Sequence, residues 1–156
     1  MKQILGYFLG FAIFIAGIPA LMWWASGAPS PADLPVGRLY LAILTALAGL
    51  AISVWTIVYM KRVGKGNPMD AFGHEVAPRT QNLMTEGPYR LNRNPMLTGT
   101  HIYLGGWAVW LWSWQAALIL AAFFAIMFLQ VLSEEKRLRN DFGEAYEDYC
   151  RRTRRF

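Results

Sequence analysis

Four uninterrupted apolar runs divide this chain: Ile4–Ala25, Leu39–Met60, Leu97–Trp112 and Gln115–Leu132. None of them holds an Asp, Glu, Lys or Arg. A helix crossing the hydrocarbon core of a bilayer needs about 20 apolar residues. The first two runs meet that length. The last two are shorter, at 16 and 18 residues, and only Ser113 and Trp114 separate them. So short a joint predicts a tight helical hairpin. The expectation is an all-α integral membrane protein with four transmembrane helices. Residues 1–60 carry an N-terminal pair. Residues 61–156 form a core made of a cytoplasmic loop (61–96), the hairpin (97–132) and a cytoplasmic tail (133–156).

The polar stretches refine this outline. Gly27-Ala28-Pro29-Ser30-Pro31, with Pro35, reads as a turn-rich loop. Lys61-Arg62-Val63-Gly64-Lys65-Gly66-Asn67-Pro68 is expected to end the second helix and open an irregular segment reaching Tyr89. A structureless loop of that length in a compact protein is usually functional or disordered. Gly64-x-Gly66 is not a nucleotide fingerprint, because it follows a membrane helix and lacks a third glycine. Asn94-Pro95 reads as a helix start, with Asn at the N-cap and Pro at the first helical position. The fourth helix should leave the membrane near Leu132 and continue through Asp141. Phe142-Gly143 should break it, leaving a short charged helix over 144–152 that carries Tyr146 and Tyr149.

Composition agrees with a membrane chain: 55% of residues are hydrophobic and 16% charged, against about a quarter charged in a soluble domain. The first run resembles a secretory signal ending at Ser26-Gly27-Ala28, but its length and single preceding lysine favour a retained helix. The net charge of +5 is unevenly spread. Residues 61–96 hold six Lys/Arg and three Asp/Glu, and residues 133–156 hold seven and six. The first interhelical loop holds only Asp33 and Arg38. The positive-inside rule therefore places the middle loop, the tail and both termini in the cytoplasm. Trp23, Trp24, Trp110, Trp112 and Trp114 fall at the opposite ends of the spans, where indole rings favour the headgroup boundary. The basic residues flank spans and mix with acids, so a juxtamembrane face explains them and no nucleic-acid partner is expected. A lone Cys150 forms no internal disulfide and defines no metal site. Six residues follow it, too many for a prenylation box.

Two polar clusters adjoin the hairpin. Gly87-Pro88-Tyr89-Arg90-Leu91-Asn92-Arg93-Asn94-Pro95-Met96 precedes its first helix, and Glu134-Glu135 follows its second. A hairpin brings them to one membrane face. The helix start there offers free N–H groups and a positive dipole end, which suit a carboxylate or phosphate. Arg90 and Arg93 add charge-assisted donors. Glu134 and Glu135 suit ribose hydroxyls or a cationic centre. A zwitterion with a carboxylate, a ribose and a positive centre fits this mixture, and S-adenosylmethionine has all three. Plainer readings exist. Arg90 and Arg93 satisfy the positive-inside rule without further purpose, and Glu135 and Arg139 stand at i,i+4 as a surface pair. Glu134 ends a span, where an unpaired carboxylate is costly. Tyr89 reads as an interface anchor. His74 and His101 lack partners at ligand spacing, so packing roles are expected for both and no metal or haem site.

The pattern Gly87-Pro88-Tyr89-Arg90-x-x-Arg93-Asn94-Pro95-Met96-x-x-Gly99, then Glu134-Glu135, then Phe142-Gly143-x-x-Tyr146-x-x-Tyr149, resembles the isoprenylcysteine carboxyl methyltransferase and phospholipid methyltransferase superfamily. The likeness covers about Gly64 to the end; the first two helices match only in being hydrophobic. It implies an integral membrane enzyme using S-adenosylmethionine on a lipid or lipophilic substrate. By position it implies cofactor contacts at Gln81, Leu83, Met84, Tyr89, Asn94, Pro95, Met96, Leu97 and Glu134. The catalytic candidates are Glu134, Glu135 and Arg93. This chain has Asn94 where the family has His and Leu97 where it has Tyr. Neither side chain titrates usefully near neutral pH, so neither serves as a base. Gln130 stands where the prenylcysteine enzymes carry an arginine for the substrate carboxylate, which counts against a prenylcysteine substrate. The alternatives are isoprenylcysteine carboxyl methylation and, in another class, a non-catalytic scaffold or a lipid or haem carrier. A transporter fits least, since the spans carry no charge.

Overall fold

The computed structural model describes residues 11–30, 32, 35–64, 70–71, 74–75 and 82–156. The first apolar run forms helix α1 (Ile18–Ala25), preceded by a π-helical stretch over Phe11–Gly17. The change of helix type falls at Pro19, which has no N–H to give to the preceding turn. Helix α2 (Val36–Tyr59) starts at Pro35, whose carbonyl accepts from the N–H groups of Arg38 and Leu39. It ends within the segment expected to end it, at Gly64. One π-helical turn, Met60–Gly64, extends it. Lys61 and Arg62 occupy that turn, where positive charge suits a helix C-terminus.

The middle loop is not wholly irregular. Strands β1 (Asp70–Ala71) and β2 (His74–Glu75) pair antiparallel, Asp70 with Glu75 and Ala71 with His74. A 3-10 turn over Gly87–Arg90 leads to helix α3 (Pro95–Leu111). Trp112 takes a left-handed conformation (φ 45°, ψ 45°) and reverses the chain. Ser113 then caps helix α4 (Trp114–Arg152), its Oγ accepting from the Ala116 N–H at 3.1 Å. The predicted two-residue joint is therefore present. The predicted break in α4 is also present: Gly143 adopts φ 52° and ψ −126°, outside helical space and easy only for glycine.

Helices α2 and α3 cross with almost no gap. A Cβ at Gly49 would meet the Tyr103 backbone, and one at Gly99 would meet Ser53 Oγ and the Gly49 carbonyl. Small residues at a helix crossing permit this backbone approach, as is common in bilayers. The core around the crossing comprises Met22, Tyr103, Leu104, Leu111, Ala116 and Phe123. The Tyr103 hydroxyl donates to the Ile15 carbonyl at 2.9 Å and ties in the N-terminal stretch.

The two ends of the bundle differ chemically. At one end Ser26 Oγ lies 2.5 Å from Ser113 Oγ, and the Arg38 guanidinium sits 5.4 Å from the centre of the Trp112 ring. The tryptophan-bearing turns thus gather at one level. The middle loop and the tail gather at the other. Many large apolar side chains on α2 and α4 face outward, among them Leu44, Leu47, Trp55, Leu118, Ile126 and Leu129. A soluble monomer rarely exposes so continuous an apolar surface. Among the described residues, two helical segments, Val36–Gly64 and Trp114–Arg152, are long and apolar enough to cross a membrane. Helix α3, with 17 residues, and α1 as described are shorter.

Candidate functional site

The site is built where α3 begins and α4 leaves its apolar stretch. Asn94 occupies the N-cap position of α3, as expected, but its side chain does not cap. Asn92 supplies the local order instead. It is buried, and its Oδ1 accepts from the Asn94 N–H at 2.9 Å, an Asx turn. The Asn94 side chain is thereby free to donate from Nδ2 to the Arg155 carbonyl at 3.0 Å. The first bond inside the helix runs from the Thr98 N–H to the Asn94 carbonyl. The N–H groups of Met96 and Leu97 precede it and have no intrahelical acceptor.

Glu134 and Glu135 part company. Glu135 is 3% exposed. Arg155 grips it with both prongs, Nε to Oε1 at 2.9 Å and Nη2 to Oε2 at 2.8 Å. Arg93 Nη2 reaches its Oε1 at 3.1 Å. Burial alone raises a carboxyl group, but the Arg155 hydrogen bonds and the charges of Arg93 and Arg155 outweigh it. The Glu135 carboxyl is held below its ordinary range. The alternative pairing with Arg139 does not occur. Arg139 instead donates to Glu147 at 2.7 Å, because the break at Gly143 brings the last turns of α4 back alongside. Glu134 is 40% exposed and lies 3.4 Å from Arg137. Its charge also reaches Tyr89.

The returned end of α4 closes the site from below. Tyr146 and Tyr149 are buried against Met60, Met84 and Tyr89, with Leu83 and Phe142 at the edge. The Tyr149 hydroxyl donates to the Tyr89 carbonyl at 2.7 Å. Burial pushes all three phenols well above the ordinary tyrosine range, with Glu134 adding to Tyr89 and Glu135 adding to Tyr146. They are neutral at any physiological pH. Arg90, by contrast, faces solvent in a loose pair with Glu86, as the plainer reading expects.

The structure thus gathers Leu83, Met84, Tyr89, Arg93, Asn94, Pro95, Met96, Leu97, Glu134 and Glu135 at one end of the bundle. Gln81 lies outside the described residues. Sequence reasoning missed the strap that follows Arg152. Its Arg154 carbonyl accepts from the Arg93 N–H at 2.8 Å, and its Phe156 ring packs on Phe124 and Phe128. The only signal was the basic run Arg151-Arg152-x-Arg154-Arg155, which the charge rule had already absorbed.

The donor set suits a carboxylate ligand. Arg93 Nε is buried without a partner, and the Met96 and Leu97 N–H groups head a helix of 17 residues. A buried donor left unpaired costs about 1–3 kcal/mol, which a ligand recovers.

An apolar, membrane-type helical body with a helix start beside a buried acid–arginine cluster at one end is the arrangement of a membrane protein with a polar site at the edge of its apolar body. Residues 37–145 match the phospholipid methyltransferase family, and the chain belongs to that family. Membership implies a methyltransferase acting on a lipid substrate in a membrane. No curated protein and no solved structure matches the chain.

Proposed function

We propose that this protein transfers a methyl group from S-adenosylmethionine to a lipid-borne nucleophile at the cytoplasmic face of a membrane. The observation that carries the reading is the convergence of Arg93 Nε, the Met96 and Leu97 N–H groups and the half-exposed Glu134 at one end of an apolar bundle. In this reading Arg93 and the α3 start hold the cofactor carboxylate. Glu134 accepts from the ribose hydroxyls, and Leu83, Met84 and Tyr89 pack the adenine. Asn94, Pro95 and Leu97 shape the turn around it, and Gln81 keeps its expected contact. The bound cofactor supplies a methyl group on a cationic sulfur, already activated for attack. The chain contributes position, which is worth about 7–11 kcal/mol when reacting groups are well oriented.

Arg93 touches the cofactor in this reading, and Glu135 acts behind it as a positioning residue. Glu135 is braced by two arginines and held below the ordinary carboxylate range, so it is a weak proton acceptor. We further propose four membrane spans with both termini cytoplasmic. The charged loop and tail share one end of the bundle and the tryptophan-bearing turns share the other, which supports that arrangement.

The test is isothermal titration of S-adenosylhomocysteine into the detergent-solubilised protein beside Glu134→Ala. Micromolar binding, weakened at least tenfold in the variant, is expected. Absence of binding to the wild-type protein would overturn the reading. The topology is checked by Arg152→Cys in a Cys150→Ala background. An impermeant maleimide should label it in inside-out vesicles only.

A further inference from the structure

The strap that follows Arg152 has an anchored part and an apolar end. Its Arg154 carbonyl accepts from the Arg93 N–H at 2.8 Å and its Arg155 carbonyl from Asn94 Nδ2 at 3.0 Å, while the Arg155 guanidinium grips Glu135. Those bonds fix residues 154 and 155 at the polar end of the bundle. The next residue turns into the apolar part. The Phe156 ring lies 5.6 Å from Phe124 and 6.3 Å from Phe128 between centroids, and the Arg155 guanidinium stands 5.4 Å from the Phe128 ring centre. At 100° per residue, Phe124, Phe128, Val131 and Glu135 form one stripe along α4. At 1.5 Å per residue, Phe128 and Phe124 stand about 10 and 16 Å from Glu135 along the helix axis. The strap therefore runs up that stripe from the charged end, and Phe156 reaches a level inside the apolar run Gln115–Leu132.

The stripe borders lipid. Phe124 is 43% exposed, and Phe128 and Phe156 are half-buried beside it. Phe156 thus covers an apolar strip that leads from the outer face of α4 down to Glu135 and the start of α3. The two parts of the strap are held by different physics. The arginine–carboxylate fork is bidentate and charge-assisted, and it strengthens where water is excluded. A phenyl ring gains almost nothing by leaving lipid for another apolar surface, because lipid tails are as apolar as its protein neighbours. The ring therefore trades places with a lipid chain at small cost, while the bonds of residues 154 and 155 stay made.

We propose that Phe156 is a displaceable plug on the seat of the acceptor lipid's apolar chain. The chain lies along Phe128 and Phe124 only when the Phe156 ring swings off them, hinged at the anchored Arg155. This rests on the methyltransferase reading above, and it concerns how the lipid is admitted, whatever its headgroup. The plugged form is the resting form. With the ring in place, a chain following the stripe meets Phe156 before it reaches the level of Glu135. With the ring displaced, the same stripe guides the lipid's polar end toward the start of α3. Arg155 stays on Glu135 throughout, so admission leaves the cofactor turn undisturbed. A seat blocked in the resting form lowers the apparent lipid affinity by the fraction of molecules that are open. A minor open state is populated at up to about 10%, so the penalty is about tenfold or more.

The experiment uses the full chain in glyco-diosgenin, a detergent with no alkyl chain, and dioleoylphosphatidylethanolamine as the probe. In one sample 4-fluorophenylalanine replaces Phe156. Its fluorine resonance should start displaced by the ring currents of Phe124 and Phe128 and move toward that of the free amino acid as lipid is added. In the other, binding of the same lipid carrying a nitroxide on its chain is followed by electron paramagnetic resonance. Phe156→Ala should bind it about tenfold more tightly than wild type. Phe156→Leu keeps part of the plug and should fall between. S-adenosylhomocysteine affinity should stay within about twofold of wild type in both variants. Four results would each overturn the proposal: a fluorine signal indifferent to lipid; a gain below about threefold in Phe156→Ala; weaker lipid binding there, which would make the ring a wall of the seat; or loss of S-adenosylhomocysteine binding in that variant, which would make the ring structural. Absence of S-adenosylhomocysteine binding to the wild-type protein is a separate failure, that of the methyltransferase reading, and the fluorine and lipid measurements still judge the plug.

Discussion

Replacing Glu135 by Gln removes one charge and keeps the shape. The carboxylate is 3% exposed and accepts at 2.8 and 2.9 Å from Arg155, with Arg93 at 3.1 Å. An amide has one acceptor oxygen where the carboxylate has two, and its NH₂ faces a guanidinium. Removing one partner from a buried ion cluster costs about 3–5 kcal/mol. Arg155 is one-third exposed, so water relieves part of the loss and the low end applies, about 3 kcal/mol. For a chain of this size each kcal/mol shifts the midpoint by about 2–4 °C, so Glu135→Gln should melt roughly 6–12 °C below wild type. Intrinsic-fluorescence melting in detergent measures this. The cycle with Arg155→Ala then isolates the pair. If Arg155 acts through Glu135, the two losses fall short of additivity by about 1–3 kcal/mol. The pH dependence has a fixed sign. Glu135 is depressed when folded, so its contribution is complete above the ordinary carboxylate value of about 4.3. It fades only as pH falls through the lower, folded value. The gap between variant and wild type should stay constant from neutral pH down to about pH 5 and close below it. A variant melting within 2 °C of wild type, or additive losses in the cycle, would refute the brace.

Three further outcomes follow from the fold. Gly143→Ala puts a Cβ on a residue at φ 52° and ψ −126° and should cost about 1–3 kcal/mol, visible in the same melting assay. Leaving the midpoint unchanged would mean the break is not fixed there. Tyr149→Phe removes the 2.7 Å bond to the Tyr89 carbonyl and should cost about 1 kcal/mol, with faster proteolysis of the tail as the readout. Gly99→Leu drives a side chain into Ser53 and the Gly49 carbonyl. The chain should fail to elute as a single species on size exclusion, while Gly105→Leu, with nothing within 4 Å of its Cβ, should elute normally.

What the sequence revealed and what it hid divide along physical lines. Apolar runs report burial or lipid contact, so the hairpin, its tight turn (read at Ser113-Trp114 and found one residue earlier, at Trp112-Ser113) and the polar end of the bundle were legible. Phe142-Gly143 was legible as a break because glycine relaxes a backbone constraint that is local. The ion partners were not. Glu135 pairs with Arg155, 20 residues on, rather than with Arg139 at the helical spacing. That choice depends on where the chain returns after Gly143, which no local pattern encodes. Asn94 illustrates the same limit: its place at the helix start was readable, but its partner, the Arg155 carbonyl, was not. The 2.8 Å contact between His101 Nδ1 and the Leu97 carbonyl oxygen was equally hidden.

The adjacent glutamates show how one helix serves two purposes. Neighbouring residues on an α-helix point about 100° apart, so Glu134 and Glu135 never face the same partner. With α4 fixed so that Glu135 turns inward to Arg93 and Arg155, Glu134 must look toward the Tyr89 side. The inward residue anchors the strap, whose Arg154 and Arg155 carbonyls in turn hold the Arg93 N–H and the Asn94 amide. Those two residues open α3 and so set the direction of its free N–H groups. The tail, the acid pair and the helix start therefore form a closed loop of dependence. The half-exposed carboxylate is oriented by its buried neighbour, and the order of the pair along the chain decides which glutamate braces the strap and which one stays open.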